Sequence, residues 1–183
     1  MTADKAFKWK MCMPTHNGIV EKLIDELVQA IDLIEKIDDT VYTQSANGTG
    51  SVGGHFRHNF DFVLSLLNGI SEGKVDYEKR ERDPRIETDR QYAIDRYIVL
   101  VRRLVKILPD ELCKDLLVRS EIDNTTWHRS SVSREIEFVL SHTVHHHAFI
   151  VEKLAIFEVK TTANFGVAPS TLRYWQQSAL TKI

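Results

Sequence analysis

His142 and His146 are a pair whose residue type and spacing can do chemistry. They lie in Ser141-His142-Thr143-Val144-His145-His146-His147-Ala148-Phe149-Ile150, a stretch that holds four of the chain's eight histidines. No proline or glycine interrupts the apolar periodicity from Val132 to Val159, so the stretch reads as helix. Four helical residues turn through about 400° and rise about 6 Å, which projects the two imidazoles from one face. That is the spacing two imidazoles need to share one metal ion. Zinc and its neighbours usually take at least three protein ligands, so another segment has to supply the third. His145 and His147 point about 100° to either side of His146 and are expected to serve packing or hydrogen bonding on the flanks.

Four amphipathic segments are available to position such a site. Pro14 and Thr15 open the first, in which Val20, Leu23, Ile24, Leu27, Ile31 and Ile34 keep helical register until Asp38-Asp39. Residues Thr40 to Gly54 read as a loop. The second helix starts near Ser51, carries the stripe Phe56, Phe60, Val63, Leu67 and Ile70, and closes at Gly69 and Gly73. A polar connection from Lys74 to Thr88, with Asp76, Tyr77 and Pro84, reads as a solvated crossover.

The third helix runs from about Glu87 to Leu108, with Ile94, Tyr97, Ile98, Val101, Leu104, Val105 and Leu108 in register, and Pro109 stops it. Leu116–Ile122 and Asn124–His128 flank a turn at Asp123-Asn124 and read as a small irregular hairpin. Ser130, Ser131 and Ser133 offer caps for the fourth helix, whose inward face is Ile136, Val139, Leu140, Thr143, His146, Ile150 and Leu154. The tail Phe165–Trp175 reads as a loop and a short helix begun at Pro169 or Ser170, with Tyr174 and Trp175 docked on the bundle. The architecture expected is an all-α four-helix bundle. Its first two connections, of about fifteen residues each, are long enough to be crossovers.

Composition narrows the function classes. At 183 residues, with 43% apolar and 27% charged residues, the chain is expected to be a single domain spanning 1–183. A net charge of −2 with both signs interspersed gives no footprint for nucleic acid or an anionic membrane. Cys12 and Cys113 form no metal-knuckle or CxxC pattern. The first ten residues lack a secretory apolar core, and no window reaches the ~18–20 apolar residues of a spanning helix. A cytoplasmic protein is the expectation. There is no Gly-rich phosphate loop, recognisable Ser or Cys nucleophile, or cofactor fingerprint.

The third imidazole is sought in the other segments. His16 begins the first helix and His128 precedes the fourth. His55 and His58 lie in the opening turns of the second. His58 shares a face with Phe62, Ser65 and Leu66, and either histidine meets His142 and His146 if the second and fourth helices are neighbours.

These motifs resemble the DinB/YfiT-like superfamily of metal-binding four-helix bundles. That pattern has a second-helix His about seven residues after an opening Ser or Thr, then HxxxH on a later helix. Ser51 to His58 is that seven-residue step, and His142 to His146 is the second motif. The stretches Ser51–Asp61, Val75-Asp76-Tyr77, Phe138–His142 and Phe165–Arg173 resemble an uncharacterised DinB-like branch, so the similarity runs from about Gly18 to Trp175. It implies that His58, His142 and His146 hold the metal, with His55 as the other candidate in the second helix. Two departures stand out: His147 replaces the family's Arg after the second motif, and Ala148-Phe149 replaces Gly-Gln.

Three neutral imidazoles leave a metal ion its full charge and open positions. Zinc or nickel suits such donors. The resemblance implies metal-dependent transfer or isomerisation using a low-molecular-weight thiol as the small-molecule partner; water activation for hydrolysis is the related chemistry. A non-catalytic metal-binding bundle, with a stress-related or structural role, is the alternative, and homodimerisation is left open. Glu135 and Glu137 are candidate helpers and Asp61 a candidate outer partner for His58, although no general base is assigned.

Overall fold

The first apolar stripe forms α1 (Gly18–Lys36), with all six of its expected core residues buried. The structure, a computed structural model, describes residues 18–180 except 46, 47 and 49, without the side chains of 179 and 180. Cys12, Pro14, Thr15 and His16 therefore lie outside the described residues. A short helix, α2 (Asp39–Thr43), interrupts the expected loop: the Asp38 carboxylate accepts from the Val41 amide at 2.8 Å and caps it. It delivers Tyr42 into the core, where the hydroxyl donates to the Ile86 carbonyl at 2.6 Å.

Helix α3 (Val52–Glu72) is built as its sequence dictates. Ser51 Oγ accepts from the Gly54 amide at 2.9 Å, and Gly73 ends the helix at φ +69°. Gly53 lies in the first turn because a Cβ there would overlap the Glu87 carbonyl and meet Tyr42 at 2.7 Å. Gly53→Ala is expected to destabilise the protein by about 1–3 kcal/mol through overpacking. A urea midpoint unchanged from wild type would contradict that close approach.

The third expected helix is two. Asp89 sits extended at φ −124° and accepts from the Tyr92 amide, which ends α4 (Arg85–Thr88) and caps α5 (Arg90–Leu104). Arg90 donates to the Ile34 carbonyl at 2.9 Å and pairs with Asp39, pinning α5 to the end of α1. Helix α5 stops at Leu104, before Pro109, and Pro109 opens a 3-10 turn (Pro109–Cys113) that leaves Leu108 exposed.

The hairpin exists. Strand β2 (Asp115–Arg119) pairs antiparallel with β3 (Trp127–Ser131), Leu117 opposite Arg129. Its second arm starts at Trp127 because Asp123 draws Asn124–Thr126 into the turn, accepting from the Thr125 amide at 3.0 Å and from both threonine hydroxyls. Strand β1 (Lys74–Val75) adds to β2 in parallel, completing a three-stranded sheet beside the bundle.

The crossover after α3 is thus anchored rather than solvated. Val75 and Tyr77 are buried, Asp76 pairs with Arg119 at 2.7 Å, and the Tyr77 hydroxyl donates to Glu135 at 2.9 Å.

Helix α6 (Val132–Ile156) follows β3 directly, capped by Ser131. Helices α1 and α3 each pack on α5 and α6, so α1 faces α3 across an all-α four-helix bundle rather than lying beside it. Long crossovers are what this order demands. The short C-terminal helix is α7 (Pro169–Leu180), but Tyr174 and Trp175 are exposed at 66% and 49% instead of docked. Phe165 takes the docking role: it is buried and stacks on His147 with centroids 4.3 Å apart. No described helix is long and apolar enough to cross a membrane.

Candidate metal centre

Helices α3 and α6 are neighbours, and their seam brings three histidines together. Candidate ligand nitrogens of His58, His142 and His146 all lie within 4.8 Å of one another. His58 Nε2 and His142 Nε2 are 3.2 Å apart. A tetrahedral ion about 2.0–2.1 Å from each nitrogen would separate two of them by about 3.3 Å. Two ring nitrogens this close repel if both present lone pairs, so the contact calls for a shared proton or a shared cation. The donor set fits a divalent metal ion.

The rings are held by aromatic packing more than by hydrogen bonds. His142 stacks on Phe62 with centroids 4.0 Å apart, and Phe138 lies 6.2 Å away on the same helix as His142. His142 Nδ1 is buried with no partner among the described residues. His58 lies 4.9 Å from Phe62, and His146 lies 4.5 Å from His58 and 4.6 Å from His142, centroid to centroid.

His55 stands outside this trio. Its Nδ1 is 2.9 Å from His146 Nδ1, and its ring stacks on Phe149. It is therefore placed to orient His146, the role an outer hydrogen-bond partner takes around a metal ligand.

Burial is the first cause of low basicity here. It pushes His58 and His142 down to about 4 and His146 down to about 3, with neighbouring imidazoles adding to the effect at all three and Arg80 at His58 and His142. Arg57 also bears on His58, and burial followed by Lys153 and His145 lowers His55. All three converging imidazoles are therefore neutral at pH 7, as ligands must be. The unfolded chain takes up protons near pH 6.5 while the folded metal-free site does not. Stability of the metal-free protein is then expected to fall as pH drops from about 6.5 toward 4, because the unfolded state binds more protons in that window. Urea midpoints across that range test it. A flat profile, or one rising toward acid, would contradict the depressed values.

The remaining expected helpers have other duties. Asp61 is buried and pairs with Arg57 at 3.3 Å instead of serving His58. Burial raises its pKa, against the pull of Arg57 and Arg80. Glu135 is buried and accepts from Tyr77 and, at 2.6 Å, from Ser130, while Glu137 is exposed. A cleft of about 310 Å³ lined by Tyr77, His128, Arg134, Glu135 and Phe138 lies one aromatic ring away from His142.

The sequence placed His146 on the inward face and His147 on a flank. Burial differs from that: His146 is half-buried on the seam, whereas His147 is fully buried, and in its expected packing and hydrogen-bonding role its Nδ1 lies 3.2 Å from Glu26. His145 is exposed and packs edge-on against Phe149. Arg80 was missed as a neighbour of the site. Its guanidinium carbon lies 4.9 Å from the Phe62 centroid, and no sequence pattern announced it.

No family model matches the sequence. FK506-binding protein 5 of Rhizopus delemar is 27% identical over 161 residues, covering 85% of this chain and 37% of that protein. The chain thus spans little more than a third of that relative's length. Among solved structures, a DinB-like protein of Bacillus subtilis, YjoA, matches with a TM-score of 0.62 at 17% identity. The match covers 83% of this chain and 100% of that one. The fold of the present chain is DinB-like.

Proposed function

We propose that the protein binds one divalent ion, zinc or nickel, through His58, His142 and His146, and uses it in transfer or hydrolysis on a small molecule. The observation that carries this reading is the convergence of three imidazoles, neutral at pH 7, with no carboxylate among the converging side chains. Neutral donors leave the bound charge uncompensated, the arrangement of an open rather than a closed structural site. A bound ion supplies Lewis acidity, which lowers the pKa of a low-molecular-weight thiol or of water. The thiol is preferred, on the resemblance to DinB-like transferases.

The chain's own contribution is to fix and dry the donors. Phe62 and Phe138 hold His142, His55 holds His146, and burial keeps all three converging rings unprotonated. A second reading, a non-catalytic metal-binding bundle, is favoured by the closeness of Phe62 to His142, because that ring walls one side of the donors.

The two readings separate in one assay. Zinc- or nickel-loaded protein is mixed with 2-mercaptoethanol and a chlorodinitrobenzene electrophile, and thioether formation is followed. Acceleration over the metal-free protein, abolished by His142→Ala, supports thiol activation. A loaded protein that accelerates neither this reaction nor ester hydrolysis leaves the non-catalytic reading.

A further inference from the structure

We infer that Arg80 forms an oxyanion subsite beside the metal centre, so that the small molecule carries a carboxylate or phosphate besides its metal-seeking atom. The inference rests on the metal-centre reading and names the class of molecule that site takes.

Arg80 lies on the crossover between β1 and α4. Its guanidinium sits over the Phe62 ring, and that same ring stacks on His142 at 4.0 Å and lies 4.9 Å from His58. One aromatic ring therefore separates the cation from two of the three imidazoles. Arg80 is also among the charges that depress both of them.

Arg80 stands next to the imidazoles without a direct carboxylate partner among the described residues. Its Nε is buried without a hydrogen-bond partner, and it has no ion pair among the described residues. Four other arginines are committed to carboxylates: Arg57 to Glu87 and Asp61, Arg85 to Asp89, Arg90 to Asp39, and Arg119 to Asp76. Asp61 is the carboxylate on which Arg80 bears, yet it pairs with Arg57. Arg96 also has an unpartnered Nε, but it lies over Phe60 and is not among the charges acting on the imidazoles.

A buried donor on a cation is costly to leave unmade, and a planar guanidinium presents a fork that matches carboxylate and phosphate oxygens. An incoming oxyanion would pair with the guanidinium, whose charge has no ion-pair partner among the described residues. With its second donor atom turned toward the imidazoles, such a molecule would be held at two points.

The test uses the full chain loaded with cobalt(II), whose visible spectrum reports the atoms around it. Three thiols are titrated: neutral 2-mercaptoethanol, 3-mercaptopropionate and 2-mercaptoethyl phosphate, the last two separating a carboxylate from a phosphate source. At least one anionic thiol is expected to bind about tenfold or more tightly than the neutral one, the scale of one charge-assisted hydrogen bond. Arg80→Met keeps an apolar stem over Phe62 and should lose most of that preference with cobalt stoichiometry unchanged. Arg80→Lys, which keeps charge without the fork, should retain part of it.

Equal affinity for all three thiols, or a preference that survives in Arg80→Met, overturns the subsite and leaves the metal centre standing. A cobalt protein that answers to no thiol overturns the subsite and thiol activation together. Failure to bind cobalt overturns the metal centre as well.

Discussion

Replacing His142 or His146 with alanine is expected to abolish stoichiometric metal binding, with a loss in affinity exceeding the ~10–100-fold that removing an outer partner costs. Each variant leaves two imidazoles, fewer than the three protein ligands an open zinc site uses. His58→Ala should behave alike, because His58 Nε2 faces His142 Nε2 at 3.2 Å. His55→Ala is the internal control: it removes a partner of His146 and should stay within the outer-partner range. Competition titrations against a chromophoric zinc chelator read all four. A His55→Ala loss as large as that of His142→Ala would make His55 a ligand rather than a support. Fold is not the confounder here, since the three converging rings sit half-buried at the seam of α3 and α6 and not in the core.

The second large effect is on stability. His147 and Glu26 are buried to 0% and 2% exposure, and the imidazole Nδ1 lies 3.2 Å from the carboxylate. Burial lowers the His147 pKa while Glu26 pulls it back up. Lys22 approaches the same carboxylate at 3.8 Å. Removing His147 takes the imidazole partner from a buried carboxylate, and losing a hydrogen bond to a charged group costs about 1.5–3 kcal/mol. His147→Leu is expected to lose that much in urea unfolding. The double variant His147→Leu/Glu26→Leu should recover a large part of it, because an apolar replacement of a buried pair is often near neutral. A single variant within about 0.5 kcal/mol of wild type, the range of ordinary surface substitutions, would contradict the pair's role.

The same contact explains how the segment after α6 docks. Phe165 stacks on the His147 ring, and Gly166, at φ +72°, lies where a Cβ would meet the Ala148 amide nitrogen at 2.6 Å. Close backbone approach at a left-handed position is available only to glycine. His147 therefore ties α1, α6 and the following segment together. It is part of the core at 0% exposure.

Periodicity carried the bundle because the apolar stripes of α1, α3 and α6 are continuous and their caps, Ser51 and Ser131, are local signals. The same rule misjudged the burial of His146 and His147. Adjacent helical residues differ by 100°, and Thr143, His147 and Ile150 form a buried i, i+4, i+7 line as plausible as the one through His146. Only the placement of α3 against α6 decides which line faces inward. The break at Asp89 was hidden because a capping aspartate inside an apolar-periodic run resembles an exposed helical charge. Strand β1 is two residues long and exists through its partner β2, so no local pattern could announce it.

The convergence of His58, His142 and His146 was legible for a different reason. HxxxH and the Ser51-to-His58 step are local spacings, and the resemblance supplied the pairing of helices that joins them. Arg80 was not legible. Its charge sits in a mixed run that composition reads as solvated, and its place over Phe62 depends on β1 and Tyr77 being anchored by the hairpin and Glu135.

The account turns on whether the three imidazoles hold an ion. Metal content by mass spectrometry, on protein purified without an affinity tag, measures this most directly. The prediction is near one zinc or nickel per chain in the wild type and near none in His142→Ala and His146→Ala. A wild-type protein that carries no metal and takes up neither added zinc nor added nickel would contradict it, and the three histidines would then be seam packing between α3 and α6.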